Sequence, residues 1–375
     1  MEKFRIDEIT INLDNLRKPL NSQQRKEMSK KKLYPYYGAN NLMDYIDEYI
    51  FDEEILCVAE DGGSWGYKEK CSYIVNEKCW VNNHAHILKA KENLNLKYLM
   101  YYLNYNDLSN RITGTTRGKL TKSALNSIEV KLPSIEKQKK IVALLEKAQE
   151  LIDKRKKQIE ELDLLVKSKF IEMFGDPITN SKEWNTFELR EGIKEIKYGT
   201  SKPPIFSEEG IPFVRATNIK FGRIIENDMK YISEYEAEKI EKCKLSLGDT
   251  IIVRSGANTG DNAFVSEEYV GSYGGYDIIV KLNEKINYIF LNALLNSIYR
   301  ETIIQPLTRR AGQPHLNSEQ IQSLVIYNPP IELQNQFADF VKQVDKLKFE
   351  MENSLKELKE NFDSLIQKDF KEIKI

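Results

Sequence analysis

Cys71, Cys79, His84 and His86 are the side chains closest to a metal set, because thiolate and imidazole are the ligands zinc prefers. Seven, four and one residues separate them, which matches no finger or ribbon pattern, so buried thiols and loop histidines are expected and no metal. Asn328-Pro329-Pro330-Ile331 has the form of the loop that holds a target amino group in adenine methyltransferases. Ile331 stands where an aromatic ring would stack on a flipped base, and no strand leads into a Gly-x-Gly cofactor loop. A turn followed by a helix start accounts for it. Asp176 with Glu195-Ile196-Lys197 resembles a nuclease's acidic cluster but straddles a domain junction. Only three histidines exist, without a Gly-x-Ser-x-Gly elbow. No catalytic residue is expected, and the chemistry left to the chain is recognition.

The elements that would carry recognition come in duplicate. Pro133-Ser134-Ile135-Glu136-Lys137-Gln138 recurs as Pro329-Pro330-Ile331-Glu332-Leu333-Gln334, an offset of 331 − 135 = 196 residues. The same offset pairs Leu120 with Leu316, Val130 with Ile326 and Phe174 with Phe370. After each proline, apolar residues alternate at spacings of four and three, the seam of a coiled coil. In the first tail these are Ile141, Leu145, Ala148, Ile152, Ile159, Leu162 and Val166, broken at Arg155. In the second they are Phe337, Val341, Val344, Met351, Leu355, Leu358 and Phe362, broken at Lys348. Leu144, Leu151, Leu164 and Leu165 widen the first stripe beyond a strict seam. Two long helices that pair with each other are expected, the first ending near Gly175-Asp176-Pro177. The parts between read as mixed α and β, with strands around Asp249–Val253 and Ile278–Val280 and short helices at Leu96–Leu108 and Tyr288–Ile298. The expected organisation is a globular part at 1–131, a helix at 132–178, a second globular part at 179–327 and a second helix at 328–375.

Composition sets the outer limits. The 375 residues are 41% hydrophobic and 30% charged, which excludes a disordered chain. No run of about 18 uncharged apolar residues occurs, so no membrane span is expected. The start Met1-Glu2-Lys3-Phe4-Arg5 has no apolar secretory segment, and the four cysteines suit free thiols in a reducing cytoplasm. Fifty-six basic against 57 acidic residues give a net charge of −1, so a polyanion would have to be met by local clusters. Such clusters exist. Arg17, Lys18, Arg25, Lys26, Lys30, Lys31 and Lys32 form one, and Arg111, Arg117, Lys119 and Lys122 another. Arg300, Arg309 and Arg310 lie at the matching place in the second copy.

Loops rich in Asn, Thr, Gly, Arg and Tyr at corresponding places in both copies suit base edges and phosphates. Candidate DNA contacts in the first copy are Lys18, Tyr37, Asn40, Asn41, Gly63, Ser64, Asn82, Asn83, His84, Arg117 and Lys119. In the second they are Lys202, Arg215, Thr217, Asn218, Arg254, Ser255, Asn258, Tyr276, Arg309, Arg310, Gln313 and His315. Arg117 and Lys119 lead the first group, and Arg309 and Arg310 the second.

These features resemble the specificity subunits of type I restriction-modification systems. The likeness rests on Gly114 to Leu120, on Ile128-Glu129-Val130-Lys131-Leu132-Pro133 with Glu136 and Gln138, and on Phe170-Ile171-Glu172-Met173-Phe174-Gly175-Asp176-Pro177. Leu324-Val325-Ile326, Pro329-Pro330, Glu332 and Gln334 repeat it, although the second tail closes as Lys368-Asp369-Phe370-Lys371-Glu372 without Gly-Asp-Pro. The resemblance implies an α+β chain of two target-recognition domains in tandem, each followed by a long helix. The helices would form an antiparallel coiled coil with pseudo-two-fold symmetry. It further implies an asymmetric bipartite site on double-stranded DNA, one half per domain, with the helices fixing the gap. Two modification subunits would dock on the chain, and restriction subunits through them. S-adenosylmethionine, ATP and Mg would belong to those partners, and this chain would hold no cofactor. The competing readings are a self-contained DNA adenine methyltransferase fragment and a two-domain adaptor that binds no DNA.

Overall fold

A computed structural model describes residues 2–114, 116–308 and 314–370. The chain divides into two compact units. Unit 1 is built from residues up to Lys156 together with the stretch from Asn353 onward, and unit 2 from Lys157–Glu352. Each unit therefore takes one end of each long helix.

In unit 1 the main sheet has strands β1 (Thr10–Asn12), β2 (Ile55–Ala59), β3 (Ser72–Val75) and β4 (Ala85–Ala90) in the order β1-β4-β2-β3, all antiparallel. In unit 2, β5 (Ile193–Tyr198), β6 (Thr250–Ile252), β7 (Asn262–Phe264) and β8 (Ile278–Leu282) repeat that order as β5-β8-β6-β7. The central strand Ile-Leu-Cys-Val-Ala of unit 1 is buried at every position, and so is Thr-Ile-Ile in unit 2. Small and β-branched side chains suit such doubly covered strands. A smaller sheet in each unit joins one parallel pair, Tyr36–Trp80 and Tyr37–Val81 in unit 1, Phe213–Tyr273 and Val214–Gly274 in unit 2.

Helix α1 (Leu96–Tyr105) packs in unit 1 and is capped by Asn95, whose side chain accepts the Tyr98 N–H at 3.1 Å. The two long helices are α2 (Ile135–Phe174) and α4 (Ile331–Phe370), with the shorter α3 (Tyr288–Leu295) between them in sequence. Forty residues at about 1.5 Å each make a rod of about 60 Å. Gly175 stops α2 at φ +81°, its N–H donating to the Ile171 carbonyl at 2.8 Å.

Why each long helix starts where it does is written twice. Gln138 is fully buried; its Oε1 accepts the Asn95 N–H at 2.9 Å while Nε2 donates to the carbonyls of Asn93 and Pro133. Gln334 repeats this, accepting from Asn287 N–H and donating to the carbonyls of Lys285 and Pro329. One amide thus joins the first turn of a long helix to the start of a short one. An unpartnered amide at that depth would carry its full desolvation penalty.

Pairing of α2 with α4 is antiparallel within each unit. In unit 1, Ile141, Val142, Leu145 and Ile152 from the start of α2 share a core with Phe362, Ile366 and Phe370 from the end of α4. In unit 2, Phe170 and Phe174 from the end of α2 meet Phe337, Ala338 and Val341 from the start of α4. Of the seam positions, Ile141, Leu145, Ile152, Leu162, Phe337, Val341, Val344 and Phe362 are buried. Ala148, Ile159, Val166, Met351, Leu355 and Leu358 are half-buried. The break at Lys348 has a structural purpose: its ammonium, mostly buried, donates to both oxygens of Asp163 at 2.6 and 2.7 Å. A polar pair at a seam position favours one register over its neighbours.

Candidate nucleic-acid interface

Several of the loops singled out from the sequence meet at the end of each main sheet, where β2 and β6 run out. In unit 1 the Glu60 carbonyl accepts the Leu120 N–H at 2.8 Å, and Asp61 forms a backbone bridge with Lys119. In unit 2 the Arg254 carbonyl accepts the Leu316 N–H at 2.7 Å, and Ser255 bridges His315. Glu60 and Arg254 are therefore equivalent positions, as are Lys119 and His315. Strand register adds a third pair. Asn12 lies opposite Leu88 and Ile196 opposite Val280, while Leu88 and Val280 face Leu56 and Thr250. Two residues beyond, Asp14 corresponds to Tyr198.

On that shared frame the two units carry opposite chemistry. Unit 1 has an ion-pair network. Arg17 donates to Glu60 at 2.6 Å, Lys119 lies 3.0 Å from Glu60, and Arg117 lies 2.7 Å from Asp61. His84 Nδ1 sits 2.8 Å from Asp61, and Asn40 donates to the Gly62 carbonyl at 3.1 Å. His86 is buried with Nδ1 2.7 Å from Asp14 and Nε2 2.8 Å from the Leu120 carbonyl. Burial works to raise the Asp14 carboxyl, but hydrogen bonds from His86 and the Ile87 N–H outweigh it and hold it below the usual carboxylate range. Burial acts likewise on Glu60, and Arg17 and Lys119 overcome it.

Asp14, Glu60 and His86 bring three metal-capable atoms within 4.8 Å of one another, the closest approach to a metal set among the described residues. Both His86 nitrogens already face oxygen, and Arg17 occupies Glu60, so the chemistry here is charge pairing. Cys71 and Cys79 lie in different hydrophobic clusters, and burial pushes both thiols up to about 12, far from the thiolate a metal needs.

Unit 2 has an aromatic clamp instead. The Arg254 guanidinium carbon lies 4.5 Å from the ring centre of Tyr198 and 4.3 Å from that of Tyr276, and its Nη2 is 3.1 Å from His315 Nε2. Arg254 N–H donates to the buried carboxylate of Asp277 at 3.2 Å. Burial raises the Asp277 carboxyl to about 6 against the opposing pull of that N–H and the guanidinium charge. Neither Tyr198 nor Asp277 was among the sequence candidates. Their signal lay in sequence, as an aromatic at the end of one strand and an acid just before another, but only the fold joins them to Arg254.

Several candidates turn inward. Asn82 is buried, accepting the His84 N–H, and Asn218 is fully buried, donating to the carbonyls of Ile225 and Asn227. Tyr37 is buried and its hydroxyl donates to Glu77 at 2.8 Å. Arg215 is half-buried and paired with Asp228. Lys18, Asn40, Asn41, Ser64, Asn83, Arg117, Lys119, Lys202, Thr217 and Tyr276 are exposed, whereas Gly63, His84, Arg254, Ser255, Asn258 and His315 are half-buried. Arg309, Arg310 and Gln313 lie outside the described residues. The basic cluster at Arg117 and Lys119 looked free of acids in sequence. Its partners, Asp61 and Glu60, arrive from a loop more than fifty residues away.

The family described as "Type I restriction modification DNA specificity domain" matches twice, over residues 1–163 and 181–360. A Haemophilus influenzae chain assigned as a type I restriction enzyme specificity subunit is 36% identical over 141 residues, 38% of this chain and 35% of that one. The match thus spans about a third of that relative's length. The MjaVIII specificity subunit of Methanocaldococcus jannaschii is 24% identical over 84% of this chain and 80% of its own. Among solved structures, the type I restriction-modification S subunit from M. genitalium superposes with a TM-score of 0.65 at 16% identity, covering 99% of this chain and 96% of that one. That likeness establishes the shared fold of tandem mixed domains and long helices.

Proposed function

This chain belongs to the type I restriction modification DNA specificity family and is a specificity subunit, not a catalyst; from that premise we propose how it recognises DNA. Each unit reads one half of a bipartite double-stranded target through the loop cluster at the end of its main sheet. Because those clusters differ in charge and residue type, the target is asymmetric. The observation that carries this reading is the duplicated frame with unlike side chains, Asp14–Glu60–Lys119 in one copy and Tyr198–Arg254–His315 in the other. The paired helices set the unread gap, each rod of about 60 Å being nearly two turns of duplex at about 34 Å per turn.

Partners complete the activity. Two modification subunits dock on the chain, and restriction subunits join through them, in the cytoplasm. S-adenosylmethionine, ATP and Mg sit on those partners. Apolar side chains left exposed on the long helices support docking: Leu144 and Leu151 in unit 1, and Leu164, Leu165, Ile171, Leu347 and Phe349 in unit 2. No described helix is long and apolar enough to cross a membrane. With a net charge of −1, the isolated chain should bind DNA weakly and with strong salt sensitivity, and binding should tighten once modification subunits add basic surface.

The test is to express the full chain with its modification subunits and sequence the methylated adenines. One asymmetric two-part motif is expected. Inserting a helical turn into both long helices should change its gap and not its bases. A continuous or palindromic motif, or a motif whose bases change with helix length, would contradict the reading.

A further inference from the structure

We infer that Arg254 is the guanine-reading side chain of unit 2, held for that task by Tyr198 and Tyr276. The inference rests on the specificity reading above and adds the base and the residue. A guanidinium normally loses its long side chain's freedom when it binds, and here the fold has already removed it. The backbone of Arg254 is pinned on both sides, by Asp277 at its N–H and by Leu316 at its carbonyl. The two rings, 4.5 and 4.3 Å away, restrain the guanidinium between them. Tyr198 is itself fixed, its hydroxyl accepting the Ser318 N–H at 2.9 Å and donating to the Ser318 hydroxyl at 3.1 Å.

What brings the two tyrosines to this spacing is a contact between glycines. A Cβ on Gly199 would sit 1.4 Å from the Gly275 carbonyl oxygen, so the neighbours Tyr198 and Tyr276 are drawn together because position 199 lacks a side chain. Within the clamp, Nη2 is engaged with His315, while Nε is buried and finds no hydrogen-bond partner among the described residues. Nη1 makes no hydrogen bond to a described residue either. The residue is half-buried and Nε is among its buried atoms, so the Nη end of the guanidinium is the part left for a ligand. An edge of N–H donors matches the O6 and N7 acceptors of guanine, and it meets a donor instead of an acceptor at the N6 amino group of adenine. A fixed, stacked guanidinium is also something lysine cannot imitate.

The experiment uses the complete complex with its modification subunits, reading the methylated motif and the dependence of binding on salt. Arg254→Lys keeps the charge. It should lower discrimination for guanine at one position of one half-site by about ten- to a hundredfold, leaving the other half-site and the salt slope unchanged. Arg254→Gln should move that position toward adenine. Tyr276→Ala, which opens one side of the clamp at an exposed residue, should give a smaller loss at the same position. The inference is overturned if Arg254→Gln leaves the motif unaltered. It is equally overturned if that variant weakens all sequences alike and lowers the salt slope by about one, the mark of a phosphate contact. A wild-type complex that methylates no two-part site would instead remove the specificity reading, and this inference with it.

Discussion

Two loop clusters built on one backbone frame differ in residue type at each of three equivalent positions, Asp14 and Tyr198, Glu60 and Arg254, Lys119 and His315. In unit 1 the position after the central strand is Glu60, embedded among Arg17, Lys119 and His86. In unit 2 it is Arg254 between two tyrosine rings. The interior shows the opposite pattern. Gln138 and Gln334 make the same three hydrogen bonds to corresponding backbone groups, and both sheets share one strand order. The constraint behind this is physical. A buried amide has partners at fixed places and cannot be exchanged without leaving a donor or acceptor unpaired, whereas a loop-tip side chain is limited only by its neighbours at the tip. A frame of this kind lets the loop surface change while the fold stays put.

The sharpest way to probe the shared interior is where the two units differ in size. Phe337 is fully buried with Phe170 and Phe174 at ring separations of 5.6 and 5.4 Å, and Ile141 holds the same repeat position in unit 1. Phe337→Ala should cost about 3–5 kcal/mol and Ile141→Ala about 2–4 kcal/mol, measured by denaturant unfolding of the full chain. A reversed order would mean that the aromatic cluster of unit 2 relaxes around the loss.

Equivalence itself is tested by the glutamines. Gln138→Ala and Gln334→Ala should each destabilise by about 2–3 kcal/mol, because each strands a buried N–H and two carbonyls. Effects differing by more than about 1 kcal/mol would show that the junctions are alike only in outline.

Asp277 sharpens the contrast through pH. Its carboxyl is raised to about 6 from 3.8, so the folded state holds the proton more tightly than the unfolded state does. Stability from this group is fully present below about pH 4 and is lost as pH rises through about 6. Asp277→Asn, which can still accept the Arg254 N–H, should therefore stabilise the chain by about 1–3 kcal/mol at pH 7.5 and by nothing at pH 4. Thermal unfolding at the two pH values measures it. In unit 1, Asp14 and Glu60 are shifted the other way and should lose stability in acid.

The smallest effect belongs to Lys119, an exposed cation paired with Glu60. Lys119→Ala should alter stability by less than about 1 kcal/mol. In the assembled complex it should weaken DNA binding evenly across sequences, with a smaller salt slope. A change in the methylated motif would instead make Lys119 a base contact.

Much of this was legible in the sequence, and what was not has a common cause. The 196-residue repeat, the α2 stop at Gly175 and the central strands were visible because periodicity and turn chemistry are local. The ion pairs of unit 1 were invisible because Glu60 and Arg17 are brought together only by the sheet. Asn82 and Asn218 look in sequence like Asn83 and Thr217, yet the first pair is buried and the second exposed. Residue type in a polar loop does not tell inward from outward. Tyr198 and Asp277 meet Arg254 only in the folded chain, where Gly199 packs against the Gly275 carbonyl, a contact no spacing rule announces.

The most direct trial of independent reading heads is a transplant. Residues 1–131 of this chain would be replaced by the corresponding segment of a relative with a different target, and the hybrid expressed with the modification subunits before sequencing methylated adenines. The account predicts a motif with one new half, one retained half and an unchanged gap. A hybrid in which both halves change, or neither does, would contradict it.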